Sequence, residues 1–472
     1  MAIKNILTAL LITCCLQSAL GQVVLSSHYL GLQKADAYHD ALPAPEAKNR
    51  GLVVFAADKN NVTALRYNRV LYYTDSLATE RPSTRDYELM AGYSYSAMGQ
   101  PSAYWASADF KKIQELQFDF DTKKVSDYSF EMPFKEEYIL FTFSENNSFY
   151  IVTLPEKESK LYFYVFNEGR YVRHIADFSD FKFKDGDGSA VSFNRLLESY
   201  TIHKMESQAY NPLPTTAGKL KLYLSEKTLQ LTFDQSPGST QLFTIDATTY
   251  KVSEEIIPKP VLEDGNSNSF LRDNKLYHVA INEDEMALQA TDLTTGNVLK
   301  SYRAGINDTI IFKNSALLEQ TGNKPARIFK NTKKFIRRAA FGLPAISVYQ
   351  TPNDVLVVSG AIRSTAPAGE MIVGSLGTIA MAATGIGGDA FGMFPEHTQS
   401  VYIESLFDEG FNHKNVPQQR LAADYIGQYL YEHEKQAGLQ TVFPYEYYYV
   451  LGYYDSKAKK YILVKFMDDG FR

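Results

Sequence analysis

Short apolar runs, broken by polar turn-forming residues, recur along almost the whole chain and predict strands joined by tight hairpins. Residues 53–55, 65–67 and 70–73 make one group. Residues 138–143 and 149–154 flank the turn Ser144-Glu-Asn-Asn147, 345–349 and 355–359 flank Thr351-Pro-Asn-Asp354, and 447–453 and 461–466 close the chain around residues 454–460. Helical periodicity stands out in two places. Over 323–344, at 100° per residue, Ile328, Phe329, Thr332, Phe335, Ile336, Ala339 and Ala340 fall on one side. Arg327, Lys330, Lys333, Lys334, Arg337 and Arg338 fall on the other. Pro325 suits the first turn of such a helix, Gly342 its C′ position, and Pro344 forbids continuation. Over 418–437, Leu421, Tyr425, Tyr429 and His433 recur at four-residue steps before Gly438, which predicts a helix packed on the outside of the last group of strands.

A pattern repeats. Asp119-Phe-Asp-Thr-Lys-Lys-Val125, Asp246-Ala-Thr-Thr-Tyr-Lys-Val252 and Asp292-Leu-Thr-Thr-Gly-Asn-Val298 each follow a strand-like run. In each, a carboxylate caps a tight turn and a β-branched Val opens the return strand. Two degenerate copies hidden between 119 and 246 would bring the mean step to about 42 residues, the length of a four-stranded propeller blade. One such copy is Leu161-Tyr-Phe-Tyr-Val-Phe-Asn-Glu-Gly-Arg-Tyr-Val172, turning at Asn167-Glu168-Gly169. The stretch Ala290-Thr-Asp-Leu-Thr-Thr-Gly-Asn-Val-Leu299 resembles the hairpin of quinoprotein-type propeller blades. The resemblance covers about ten residues and implies architecture rather than chemistry. Blades of that family carry a tryptophan after the turn, whereas Lys300 and Ser301 follow here and Trp105 is the sole tryptophan, so no quinone and no other cofactor is expected.

The expected fold class is therefore all-β: a β-propeller of about six to eight four-stranded blades. It would form one domain over 22–472, with two short inserted helices and insertions near 323–344, 367–395 and 412–438. Tandem β-sandwiches are the alternative. Tyrosine and phenylalanine, 33 and 29 in number, reinforce the β reading, because aromatic side chains favour pleated, half-buried surfaces. An aromatic ligand platform is the sharper use of the same residues.

The first 21 residues read as a removable secretion signal. Lys4 is the positive start, residues 6–16 a short apolar core, and Ala19-Leu20-Gly21 a small-x-small cleavage site before Gln22. Cleavage would remove Cys14 and Cys15, leaving a cysteine-free mature chain without disulfides, and shift the formal charge from −6 to −7. Such mild acidity over this length argues against a nucleic-acid partner. The expected location is secreted, periplasmic or in the cell envelope.

Assembled chemistry is scarce. There is no serine elbow and no P-loop, and Gly385-Ile-Gly-Gly-Asp-Ala-Phe-Gly392 lacks the flanking strand and helix of a dinucleotide site. Asp185-Gly-Asp-Gly188 opens like a calcium loop but has Ala190 and Leu196 where such a loop needs Gly and Glu, so it reads as a surface turn and no metal site is expected. His433-Glu434 lacks the second histidine of a zinc-peptidase helix. Residues 367–395 hold seven glycines and only Glu370 and Asp389 as charges, which suggests an apolar loop open to partner or membrane contact.

The leading expectation is a non-enzymatic binding or scaffold protein, a monomer, with a protein or glycan partner. One alternative is a propeller hydrolase using a cluster of channel carboxylates. The other is peripheral envelope contact through Arg327, Lys330, Lys333, Lys334, Arg337 and Arg338, facing an anionic membrane or an acidic partner.

Overall fold

In a computed structural model, the residues described are 22–33, 38–207, 209–321, 326–364 and 398–469. Residues 1–21, read above as a secretion signal, and the glycine-rich 367–395 lie outside them. Strand β1 (Gln22–Tyr29) opens the fold, and the chain then runs through consecutive antiparallel meanders, as the short apolar runs require. The first comprises β2 (Asp40–Pro45), β3 (Leu52–Ala57), β4 (Asn61–Tyr67) and β5 (Tyr73–Glu80). Next come β6 (Leu89–Tyr95), β7 (Pro101–Ala106), β8 (Lys112–Asp119) and β9 (Lys124–Glu131), then β10 (Glu137–Glu145), β11 (Ser148–Pro155), β12 (Lys160–Asn167) and β13 (Arg170–Asp177).

The small hairpin β14 (Phe183–Lys184) and β15 (Ala190–Val191) and helix α1 (Phe193–Ser199) interrupt the series. The fourth sheet follows: β16 (Ile202–Met205), helix α2 (Leu213–Thr216), β17 (Leu220–Leu224), β18 (Thr228–Phe233), β19 (Ser239–Asp246) and β20 (Val252–Pro258). In it β16 adds to β17 in parallel. The fifth is β21 (Asn266–Arg272), β22 (Lys275–Ile281), β23 (Glu285–Asp292) and β24 (Val298–Gly305).

The sixth sheet departs from plain succession. Strands β25 (Leu318–Thr321) and β26 (Arg327–Ile328) come first in the chain, then helix α3 (Thr332–Ala340), then β27 (Leu343–Gln350), β28 (Val355–Ser364) and β29 (Thr398–Phe407). Their order in the sheet is β26-β25-β29-β28-β27. Helix α4 (Ala422–Glu432) precedes β30 (Ala437–Tyr445), β31 (Tyr448–Asp455) and β32 (Lys460–Phe466), and β1 completes this last sheet against β32, from Gln22 opposite Phe466 to Tyr29 opposite Lys460.

Among the described residues, seven successive sheets of four or five strands, the last completed by β1, define a β-propeller. Tandem sandwiches are overturned by this order, because a sandwich alternates its strands between two facing sheets and here each sheet is a local meander. The gradient of burial fits. Second strands such as β3 and β7 are buried throughout, whereas fourth strands such as β9, β13 and β24 are largely exposed.

The chain divides into two compact units, one formed by Met1–Thr84, Phe118–Val125 and Gln419–Arg472, the other by Arg85–Gln117 and Ser126–Gln418. In the first, Leu52, Val54 and Leu65 pack with Phe443, Val450, Tyr461 and Leu463. In the second, aromatic rings fill much of the core: Tyr104 stacks on Phe149 at 4.8 Å and Phe178 on Phe193 at 4.6 Å. The aromatic excess thus serves packing between sheets, where burying each ring contributes most to stability.

The repeated hairpin recurs as expected. Asp119, Asp246 and Asp292 each turn one carboxylate oxygen onto two successive backbone N–H groups, those of Asp121 and Thr122, Thr248 and Thr249, and Thr294 and Thr295, at 2.7–3.0 Å. All three sit in the turn leading to the last strand of a sheet. The hidden copy is the β12–β13 turn, with Glu168 and Gly169 at positive φ between Asn167 and Arg170. Between 119 and 246 there is one such copy, not two; the remaining length goes into β14, β15, α1, β16 and α2.

Candidate functional site

The basic helix is shorter than its periodicity implied. Asn331 caps α3 by accepting the Lys334 N–H at 3.0 Å, so the helix starts well after Pro325. Asn331 outcompetes Pro325 because its side chain satisfies an otherwise unpaired N–H of the first turn. Arg327 consequently lies in β26 rather than on the helix, and Ile328, assigned to the apolar side, is 64% exposed. Thr332, Phe335, Ile336 and Ala339 are buried as the wheel predicted, with Phe335 and Ile336 in the same core as Ile346, Val357 and Val401.

The six cations separate into two sets. Glu319 takes Arg338 at 2.9 Å and Arg327 at 3.8 Å. Lys330, Lys333, Lys334 and Arg337 are exposed and make no ion pair among the described residues. Beside them Phe341, at the C-cap, is 68% exposed and Leu343 53%.

The densest polar cluster was not foreseen. Asp234, in the turn between β18 and β19, is fully buried. It meets Lys221 at 3.1 Å and Lys259 at 3.6 Å, and accepts hydrogen bonds from the Thr240 hydroxyl at 2.6 Å and the Ser269 hydroxyl at 2.7 Å. Lys259 Nζ also donates to the carbonyls of Asp234 and Ser236 at 2.7 and 3.0 Å. Asn268 accepts from Lys221 and donates to the carbonyls of Ala217 and Pro344, at 2.9 and 2.8 Å. Burial pushes the Asp234 carboxyl up, but Lys221, Lys259 and Thr240 outweigh it and hold it well below the usual carboxylate range. Burial lowers both lysines, and the carboxylate opposes that shift. Half-buried Lys219, bonded to Asn266 and the Ser267 carbonyl, is brought down to about 7 by burial and by Lys259. His278 shares its Nε2 with the Thr240 hydroxyl at 3.0 Å, and burial takes it down to about 3, so its ring is neutral near pH 7. With nearly every group bonded inside the fold, this knot joins β17 to β21 and β22; it is a staple, not an open site. Scattered single polar residues carry no sequence signal for such convergence.

A second convergence falls on first strands. Tyr93 of β6, Glu145 at the end of β10 and Lys204 of β16 act on one another together with Glu206, to which Lys204 donates at 2.9 Å. Burial raises the Glu145 carboxyl, partly offset by Lys204 and reinforced by Glu206. Burial opposes the charge on Lys204, yet Glu206 and Glu145 prevail and raise its pKa.

Elsewhere, Asp185 and Asp187 form an exposed turn between β14 and β15, with Asp185 accepting from the Tyr200 hydroxyl at 3.1 Å. Among the described residues no group of three or more His, Cys, Asp or Glu is placed to hold a metal ion, and no helix is long and apolar enough to cross a membrane. His174 and His433 stack on Tyr250 and Tyr429 at 4.3 and 4.0 Å. Helix α4 lies against β31 and β32, where Tyr429 meets the Tyr453 hydroxyl at 2.9 Å and Tyr425 donates to Asp469 at 2.9 Å. Gly438 belongs to β30 instead of ending the helix, which stops at the His433 cap.

No family pattern and no curated protein matches the sequence. Among solved structures, the Dos1 propeller is 9% identical over 94% of this chain and 95% of its own, with a TM-score of 0.30. A protein from Lactobacillus plantarum is 11% identical over 70% and 82%, with a TM-score of 0.27. A Synechocystis apocarotenoid oxygenase is 8% identical with a TM-score of 0.29; 57% of this chain is matched, and it spans 62% of that enzyme's length. The assignment to the β-propellers rests on the sheet order above, and no activity passes from these structures to this chain.

Proposed function

We propose that this chain is an extracytoplasmic, non-enzymatic β-propeller that acts as a binding or scaffold surface in the cell envelope. The observation that carries this reading is the distribution of charge. Lys221 and Lys259, both buried, are committed to Asp234 and its neighbours, whereas Lys330, Lys333, Lys334 and Arg337 are exposed and make no ion pair among the described residues, in a segment that ends on exposed Phe341. The leader-like pattern of residues 1–21 supplies the address. The test is fractionation of the producing cells with N-terminal sequencing. The expected result is a protein beginning at Gln22, outside the cytoplasm and released from the envelope by high salt. A cytoplasmic protein retaining Met1 would overturn it.

A second reading, a hydrolase, has the convergence of Glu145 and Glu206 in its favour. Its test is a panel of chromogenic glycosides, on which Glu145→Gln would abolish any turnover that the unmodified protein shows.

A further inference from the structure

We propose that the outward face of α3 seats the protein on an anionic bilayer surface. This deepens the extracytoplasmic reading and rests on it. The apolar side of α3 is already spent, since Phe335 and Ile336 are wholly buried against the sixth sheet; the helix therefore has no apolar face left to roll into lipid. Contact has to be made by the opposite side. On a regular helix Lys334, Arg337 and Phe341, at i, i+3 and i+7, fall within about 60° of one another, with Lys333 at the edge of that sector. Phe341 and Leu343 are two of the large apolar side chains that the fold leaves in water, and both follow directly on the cationic turn. The Arg363 stem adjoins them: its Cγ lies 3.1 Å from where a Cβ on Gly342, between those two residues, would stand.

Complementarity of charge selects the partner. The chain as a whole carries −6, so a local group of unpaired cations is not a by-product of a basic protein. Glu319 holds Arg338 at 2.9 Å and reaches Arg327 at 3.8 Å, cancelling one of those two charges, while Lys330, Lys333, Lys334 and Arg337 make no ion pair among the described residues and remain for an external anion. An acidic polysaccharide would satisfy those four and leave Phe341 and Leu343 wet. A bilayer with acidic headgroups satisfies both sets at once, with phosphates meeting the ammonium and guanidinium groups and the two apolar side chains entering the headgroup boundary.

The experiment uses the mature chain from Gln22 and sedimentation with large vesicles, either phosphatidylcholine alone or phosphatidylcholine with about 30% phosphatidylglycerol. Binding is expected to the anionic vesicles alone and to weaken steeply with salt. Lys334→Glu combined with Arg337→Glu should lower the partition coefficient at least about tenfold, because each charge reversed near the surface removes one attraction and adds one repulsion. Phe341→Ser should lower it several-fold at salt concentrations that screen the cations. All three residues are exposed, so melting temperatures of these variants should match the parent, and that comparison separates lost binding from lost folding. Equal sedimentation with both vesicle types, or binding unchanged by the double reversal, would overturn the proposal. Salt-releasable envelope association in cells together with no vesicle binding would sink the lipid partner and leave the extracytoplasmic reading standing; a cytoplasmic protein would sink that reading whatever the vesicles show.

Discussion

Asp234 and Lys221 form an ion pair 3.1 Å long in which neither side chain has any exposure to solvent. Lys259 stands 3.6 Å from the other oxygen of the same carboxylate, so a single negative charge faces two buried lysines. Asp234→Asn should therefore leave two uncompensated ammonium groups and destabilise the protein by about 3–5 kcal/mol, as breaking a buried pair does. Urea unfolding monitored by tyrosine fluorescence checks this, with a lower midpoint and an unchanged slope as the expected result. Adding Lys221→Met to Asp234→Asn should recover part of the loss, since it removes one of the stranded charges.

Acid should weaken the fold through the same knot. His278 has its folded-state pKa lowered to about 3, so between that value and its ordinary 6.5 the unfolded chain binds a proton that the folded chain does not. Stability contributed by the neutral ring is present above about pH 6.5 and falls with decreasing pH by up to about 1.4 kcal/mol per pH unit. Asp234, also depressed, adds its loss only below its ordinary carboxylate range. Melting temperatures measured from pH 7 to pH 4 should decline, and His278→Gln should flatten that decline.

Gly360 in β28 is placed where no side chain fits. A Cβ there would stand 1.9 Å from the Val401 carbonyl oxygen and 2.7 Å from the Tyr402 Cα, both backbone atoms of β29. Gly360→Ala is expected to cost about 3 kcal/mol or more, because the strands must move apart. Gly296, at φ +70° with nothing within 4 Å of its Cβ position, is the control: Gly296→Ala should cost about 1 kcal/mol, from backbone conformation alone. Thermal unfolding of the two variants side by side measures the difference.

The turn carboxylates make a finer prediction. Asp292→Ala should release the amides of Thr294 and Thr295 to faster hydrogen exchange with a small drop in melting temperature, and Asp292→Asn should restore both, because an amide oxygen accepts the same two bonds.

What the sequence revealed follows from the range of each interaction. The Asp119, Asp246 and Asp292 hairpins were legible because each is closed by bonds between residues two and three apart. The buried side of α3 was legible because Phe335, Ile336 and Ala339 obey a local period. The true start of that helix was not, since Asn331 wins by one side-chain bond that periodicity does not weigh. The Asp234 knot was invisible for a different reason. Its members at 221, 234, 240 and 259 come from different strands and turns of the fourth sheet, and those at 269 and 278 join them only after the fifth sheet has packed on it. The approach of Glu145 to Lys204 is of the same kind, whereas the Lys204–Glu206 pair spans only two residues. For the cationic face, the sequence supplied the residues but not that Glu319 would withdraw Arg338 and Arg327 from it.

The pairing of β1 with β32 sets a clock for biogenesis. Gln22 lies opposite Phe466, so the earliest part of the fold to be synthesised finds its hydrogen-bonding partner only when the last strand has emerged. Until then β1 has no sheet to join and β32 offers an open edge, which delays the most distant contact of the molecule to the final step.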